Sequence, residues 1–221
     1  MLAWNIEQSL RRLKTDRIDL IQLHSCSEET LRRGEVIDVL QKARQAGKVR
    51  HIGYSGDGAA ALYAVQSGQF ESLQISLNLA DQEALDCTVP LARQRGMGVI
   101  AKRPIANFLW KAPQPVNPYY QSYWDRFRDL QYDFLPGDRA LEIALRFTLS
   151  IPGAHTMIVG TTKPQHLIEN VRLAAAGILD AHQYQSIRDR WKKIARLELQ
   201  KTPELDGGRF VSLPELDPGI S

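Results

Sequence analysis

The chain has 221 residues, 43% of them apolar and 24% charged, with a net charge of +3 and two cysteines. That is room for one sizeable domain with its own core, and the charge is too small to argue for a nucleic-acid partner. Cys26 and Cys87 exclude a disulfide framework and fit a reducing, cytoplasmic compartment.

Leu2, Ile6, Leu10 and Leu13 recur at helical spacing, so the chain opens in an amphipathic helix. Its first residues lack the basic stretch and apolar core of a signal peptide. Residues 18–23 are too uniformly apolar for a strand with one wet face, and predict a parallel strand covered on both sides and closed by His24. Ser27 supplies an N-cap for a helix running to Gly47. A second strand over 49–55 leads to a small-residue helix over 59–66, and a third strand follows over 73–77. A helix over 89–95 stops at Gly96, before a fourth strand over 98–102.

Residues 107–137 break this rhythm with four prolines and a dense aromatic set running from Phe108 to Phe134. So many aromatics argue against disorder, leaving a loop that buries its own side chains or a wall over a pocket. Helix resumes over 138–149 with Asp138 as cap, and a fifth strand over 156–160 enters Thr161-Thr162-Lys163-Pro164, with proline in the first helical turn. Helices over 164–175 and 181–196 close the pattern. The chain divides into a partial barrel over 1–199 and a flexible tail over 200–221, the final twenty residues being rich in proline, glycine and acids. No run approaches the ~18 consecutive apolar residues of a membrane helix, so no membrane partner is expected.

Strands alternating with helices predict an α/β fold with a parallel sheet, of the (β/α)8 barrel type, in which chemistry sits at the carboxyl ends of strands. The polar residues at those ends are His24, Ser55, Gln74 with Asn78, Lys102-Arg103 and Gly160-Thr161-Thr162. Imidazole titrates near neutrality, so His24 can donate a hydrogen bond or relay a proton; the plainer alternative is a histidine satisfied by a neighbour. A lysine straight after Val99-Ile100-Ala101 either emerges at the mouth or is buried at high cost, which favours a ligand-facing Lys102. The turn before Pro164 opens a helix whose free N–H groups favour anions, although the same turn also makes an ordinary cap. No spacing of histidine, cysteine and acids suggests a metal.

The runs SLRRLKTDRIDLIQLH at 9–24, GKVRHIGYS at 47–55, GMGVIAKRP at 96–104 and LIEN at 167–170 resemble the aldo-keto reductase family, in the family's order, over residues 6–196. The resemblance implies an eight-stranded barrel that binds NADP(H), or alternatively NAD(H), and passes hydride to or from a small-molecule carbonyl or alcohol. It assigns catalytic work to His24, with Ser55 and Gln74 holding the nicotinamide carboxamide. Lys102, also placed at the cofactor, departs from the pattern by standing near the position of the family's nicotinamide-stacking aromatic. Thr161, Thr162, His166, Glu169 and Asn170 fall on the segment that grips adenosine and its phosphate.

Three further departures accompany it. The family's catalytic aspartate, tyrosine and lysine belong to strands before 18–23, so the expectation is the last five strands of a barrel without the first three, inactive as this chain. Gly56 stands where asparagine is usual, and His166 where arginine often lies. A non-catalytic nucleotide-binding or scaffold remnant is the alternative. Five strands of eight would leave open sheet edges, through which the chain is expected to self-associate.

Overall fold

The period-two and period-3.6 patterns resolve into five strands and nine α-helices in the computed structural model, which describes residues 1–115 and 117–201. The strands are β1 (Ile18–His24), β2 (Val49–Ser55), β3 (Ser72–Ser76), β4 (Gly98–Lys102) and β5 (Thr156–Ile158). They follow the sheet order β1-β2-β3-β4-β5, with β1/β2 and β2/β3 parallel. This is the α/β architecture of barrel-type folds, a parallel sheet flanked by helices. No described helix is long and apolar enough to cross a membrane. Of the tail expected over 200–221, Gln200 and Lys201 belong to the last helix, and 202–221 lie outside the described residues.

The chain forms two compact units. Unit 1 comprises Met1–Ile75 and Thr88–Ile100, and unit 2 comprises Ser76–Cys87 and Ala101–Ser221. In unit 1, α1 (Leu2–Leu13) buries Ile6 and Leu10 from one face and stops at Lys14, whose left-handed backbone (φ 53°) lets its N–H cap the Arg11 carbonyl. The single helix expected between Ser27 and Gly47 is two, α2 (Glu28–Arg33) and α3 (Glu35–Gln45). Gly34 at φ 79° divides them, a conformation that glycine adopts without a Cβ penalty. Ser27 does cap α2, its hydroxyl accepting the Thr30 N–H at 3.2 Å. The remaining unit 1 helices are α4 (Gly58–Gln66) and α5 (Thr88–Gln94).

Strand β1 departs from its expected burial. Ile18, Leu20 and Ile21 are only half-buried, against full burial of Ile52 on β2 and Leu73 on β3. At one end of the strand order, β1 has a sheet neighbour on a single side, so its apolar run is not enclosed as an interior strand's would be.

Unit 2 gathers around α7 (Ala140–Leu149) and α9 (Ala181–Lys201). Phe147 is fully buried and stacks on Tyr184 with ring centroids 5.4 Å apart. Ile187, Trp191 and Ala195, spaced by four, present one buried face of α9. Asp138 does not cap α7; Arg139 precedes its first residue and no side chain caps it.

The irregular stretch 107–137 contains a ten-residue helix, α6 (Gln121–Leu130), which buries Tyr123, Phe127 and Leu130. Asp81 anchors it. Its carboxylate accepts hydrogen bonds from Tyr123 and Asn78 and pairs with Arg126, which also reaches Glu83 at 3.1 Å. Burial, and then the neighbouring Asp81 charge, push the Tyr123 phenol far above its ordinary range. The stretch buries its own side chains and also contributes a pocket wall, as described next.

Candidate functional site

The sequence-predicted residues fall in two groups, one in each unit. In unit 1 the parallel ladder sets His24 beside Ser55 and Ser55 beside Gln74, a row that joins the ends of β1 and β2 to the middle of β3; Gln74, expected at a strand end, lies inside its strand. His24 Nδ1 lies 3.2 Å from Ser55 Oγ. Ser55 is buried whereas the His24 ring is exposed, so one ring nitrogen is oriented by the protein and the other is left for solvent or a ligand. The Ser25 N–H donates to the Ser55 carbonyl at 2.7 Å and the Gly56 N–H to the Gln74 carbonyl at 3.1 Å, so the ladder extends past the strand ends.

Tyr54, next to this row, points elsewhere. It is buried, and its hydroxyl donates to the Cys26 carbonyl at 2.7 Å. Burial, followed by the nearby Cys26 and Asp57, raises the phenol to about 12. The Tyr54 ring also explains Gly56: a Cβ there would meet ring atoms at 2.4 to 2.7 Å. An asparagine at position 56 would clash with a side chain that the sequence itself provides.

In unit 2, β4, β5 and α8 (Pro164–Ala174) border a cavity of about 820 Å³. That volume lies in the range of small-molecule and cofactor sites. His166, Glu169 and Asn170 line it from α8, where spacings of three and four residues place them on one helical face. Thr161 lines it from the turn after β5; Thr162 does not. Thr161 Oγ1 accepts the Lys163 N–H at 3.1 Å, so this hydroxyl also organises the helix entry. Asn170 is buried, while His166 and Glu169 are exposed.

Lys102 and Arg103 line the same cavity from the end of β4. The lysine is only 8% exposed, a buried cation among the residues that line the cavity. Apolar walls come from Ile105 in the turn after β4, Phe108 on the irregular stretch, Leu141 on α7 and Ile158 on β5. Phe108 is itself fixed by stacking on Trp110 at 5.0 Å. These wall residues had no signal in the sequence beyond the aromatic density of their segment. Among the described residues, no group of three or more histidines, cysteines and acids could hold a metal ion.

A profile described as the aldo/keto reductase family matches residues 1–192. The uncharacterized oxidoreductase YqkF of Bacillus subtilis (strain 168) is 26% identical over 200 residues, covering 85% of this chain and 65% of YqkF. D-threo-aldose 1-dehydrogenase of a Pseudomonas species is 25% identical over 212 residues, covering 90% of this chain and 62% of that enzyme. Among solved structures, the holo form of aldo-keto reductase AKR11C1 from Bacillus halodurans is similar with a TM-score of 0.72 at 26% identity, covering 86% of this chain and 66% of that one. The chain therefore spans a little under two thirds of the length of each of these relatives.

Proposed function

Since this chain belongs to the aldo/keto reductase family, we propose that it carries the part of such an oxidoreductase that holds a nicotinamide dinucleotide and steadies its reacting ring, NADP(H) or NAD(H), for exchange of hydride with a small carbonyl or alcohol. The observation that carries this reading is the unit 2 cavity, where Thr161, His166, Glu169 and Asn170 converge from one turn and one helical face. Hydroxyl, imidazole, carboxylate and amide groups in such a cavity suit the hydroxyls, ring nitrogens and phosphate of an adenosine moiety. Thr162 stands at the opening of α8 beside them. The bound cofactor supplies the hydride chemistry.

The chain's own residues have separate tasks in this reading. His24, with one ring nitrogen held by Ser55, presents the other to the oxygen of a carbonyl substrate. Ser55 and Gln74 fix the carboxamide of the nicotinamide. Lys102 contributes a cation at the end of β4. In this reading neither Tyr54 nor Lys102 takes the place of the family's catalytic tyrosine and lysine: the Tyr54 hydroxyl donates to the Cys26 carbonyl, and Lys102 closes β4. Loss of general-acid catalysis alone removes roughly 10²–10⁴-fold in rate, so the 221-residue chain is assigned no more than trace reductase activity. Robust NADPH oxidation with simple aldehydes by the pure chain would refute that assignment. Cofactor binding is tested separately by calorimetry with 2′,5′-ADP. Thr162→Ala and His166→Ala should weaken binding; equal affinity in all three proteins would place the nucleotide elsewhere.

Self-association belongs to the same reading. β1 and β5 end the strand order, and Ile158, Leu167, Ile168 and Val171 are about half exposed or more on β5 and α8. Unpaired strand edges and uncovered apolar side chains favour contact with another chain. Light scattering should report species larger than a monomer; a monodisperse monomer with a cooperative melt would count against it.

A further inference from the structure

Successive residues of a strand point to opposite faces, so Lys102 and the residue after it should not share a pocket. They do share one: both line the unit 2 cavity. Arg103 lies just beyond β4 with its backbone in the left-handed region at φ 56°, which breaks the strand alternation. A non-glycine residue pays for that conformation, and such strain collects at ligand sites. The Arg103 side chain is also held, its Nη1 donating to Ser76 Oγ at 3.0 Å.

From this geometry we propose that Lys102 and Arg103 form an anion subsite in the unit 2 cavity, separate from the α8 face, that takes a carboxylate or phosphate group. The proposal rests on the reading of this cavity as a dinucleotide and carbonyl site, and it adds the charge of what binds beside β4. A buried lysine is a compact point charge, and a guanidinium is a planar fork that pairs with two anionic oxygens. Apolar walls from Ile105, Phe108 and Ile158 lower the polarity beside the two cations, which strengthens their attraction for an anion. Among the described residues that line the cavity, two cations, Lys102 and Arg103, stand at the β4 end and one carboxylate, Glu169, on α8. Two sources offer such a group: the diphosphate bridge of the dinucleotide, or an acidic group on the carbonyl substrate itself.

Calorimetry on the 221-residue chain separates them, with adenosine 2′-monophosphate, NADP⁺, inorganic pyrophosphate and malonate as probes. The variants are Lys102→Met, close in shape without charge, and Arg103→Gly, which suits φ 56° and so retains the fold. Each should lower affinity for at least one of the two anions by roughly ten-fold or more, as expected for a lost charge-assisted contact. Adenosine 2′-monophosphate should bind both variants as it binds wild type. Loss confined to pyrophosphate and NADP⁺ assigns the subsite to the diphosphate; loss confined to malonate assigns it to an acidic substrate. Should Lys102→Met fail to melt cooperatively, Arg103→Gly alone decides. Wild-type affinity for both anions in a folded variant, or no anion binding by wild type, overturns the proposal. Failure of adenosine 2′-monophosphate to bind wild type would instead strike the nucleotide reading and leave the anion result standing.

Discussion

In unit 1, His24, Ser55 and Gln74 stand in a row because a parallel ladder leaves them no other arrangement. In unit 2, Lys102 and Arg103 share a cavity because the ladder stops and the backbone turns left-handed. The first group is positioned by secondary structure, and its cost is distributed over many ordinary hydrogen bonds. The second depends on a few side chains holding an irregular segment in place. Positive φ values at Arg103, Ala106, Asn107 and Phe108 show where that segment departs from regular backbone. Register makes a rigid row cheaply. An adjustable pocket wall needs anchors.

The anchor with the most at stake is Asp81. Its carboxylate is 12% exposed, pairs with Arg126 and accepts from Tyr123, which together tie α6 to the segment after β3. Asp81→Ala would take from a nearly buried guanidinium one of its two carboxylates, leaving Glu83, and from a buried phenol its Asp81 acceptor, leaving Ser76 beside it. The loss should be about 3 kcal/mol, the low end for a broken buried pair and more than for a surface bridge. Urea unfolding should show this loss, and hydrogen exchange should show faster opening of 121–135 than of β1 and β2. A cost below ~1 kcal/mol would mean that α6 is held by its apolar face alone, and the contrast between the units would weaken.

Glycines sharpen the comparison at lower cost. Gly56, at the edge of the unit 1 row, has Tyr54 ring atoms where a Cβ would go. Gly56→Ala should therefore destabilise by about 1–3 kcal/mol through overpacking, and should disturb the neighbouring Ser55. Gly160, in the turn after β5, has nothing within 4 Å of its would-be Cβ. Gly160→Ala should stay within about 0.5 kcal/mol of wild type. Thermal melts of the two variants test whether tightness is a property of the row and looseness one of the cavity rim. Equal effects would erase the distinction.

The same contrast explains what could be read in the sequence. The apolar runs and their terminal polar residues marked β1 to β4 and the row from His24 to Gln74, because strand period and strand end are local properties. His166, Glu169 and Asn170 entered through the family resemblance and not through periodicity, and the structure adds that the three line one cavity. What escaped reading depended on distant atoms. Gly34 splits a helix that composition alone would continue, since a left-handed residue is a matter of backbone and not of propensity. Arg103 was legible beside Lys102 as a polar residue at a strand end, whereas its left-handed backbone was not. α6 lay hidden among prolines and aromatics because its stability comes from Asp81, some forty residues earlier. Asp138 was a plausible cap from its residue type, yet Arg139 takes the position before α7 and bonds instead to Glu142, its Nε at 3.0 Å.

That last contact gives the smallest expected effect and a sign that can be checked. Hydrogen bonds from Arg139 and then Arg146 hold the Glu142 carboxyl down at about 2, below the ordinary glutamate value of about 4.3. A carboxyl whose pKa is lower in the folded chain stabilises it at pH above its unfolded value, because the unfolded state then binds protons more readily. The contribution is complete above about pH 5 and is lost as pH falls through about 2. The site is near the surface and screened, so its worth is about 0.2–1 kcal/mol and not the full linkage value. Glu142→Gln should melt slightly below wild type at pH 7, and the two curves should converge as pH approaches about 2. High salt should narrow the gap at pH 7 as well, since exposed charges are screened within about 10 Å at 0.1 M. A gap that persists unchanged in acid would show that Glu142 acts on α7 through packing or helix propensity, and the arginine pair would then carry no charge-dependent stability in unit 2.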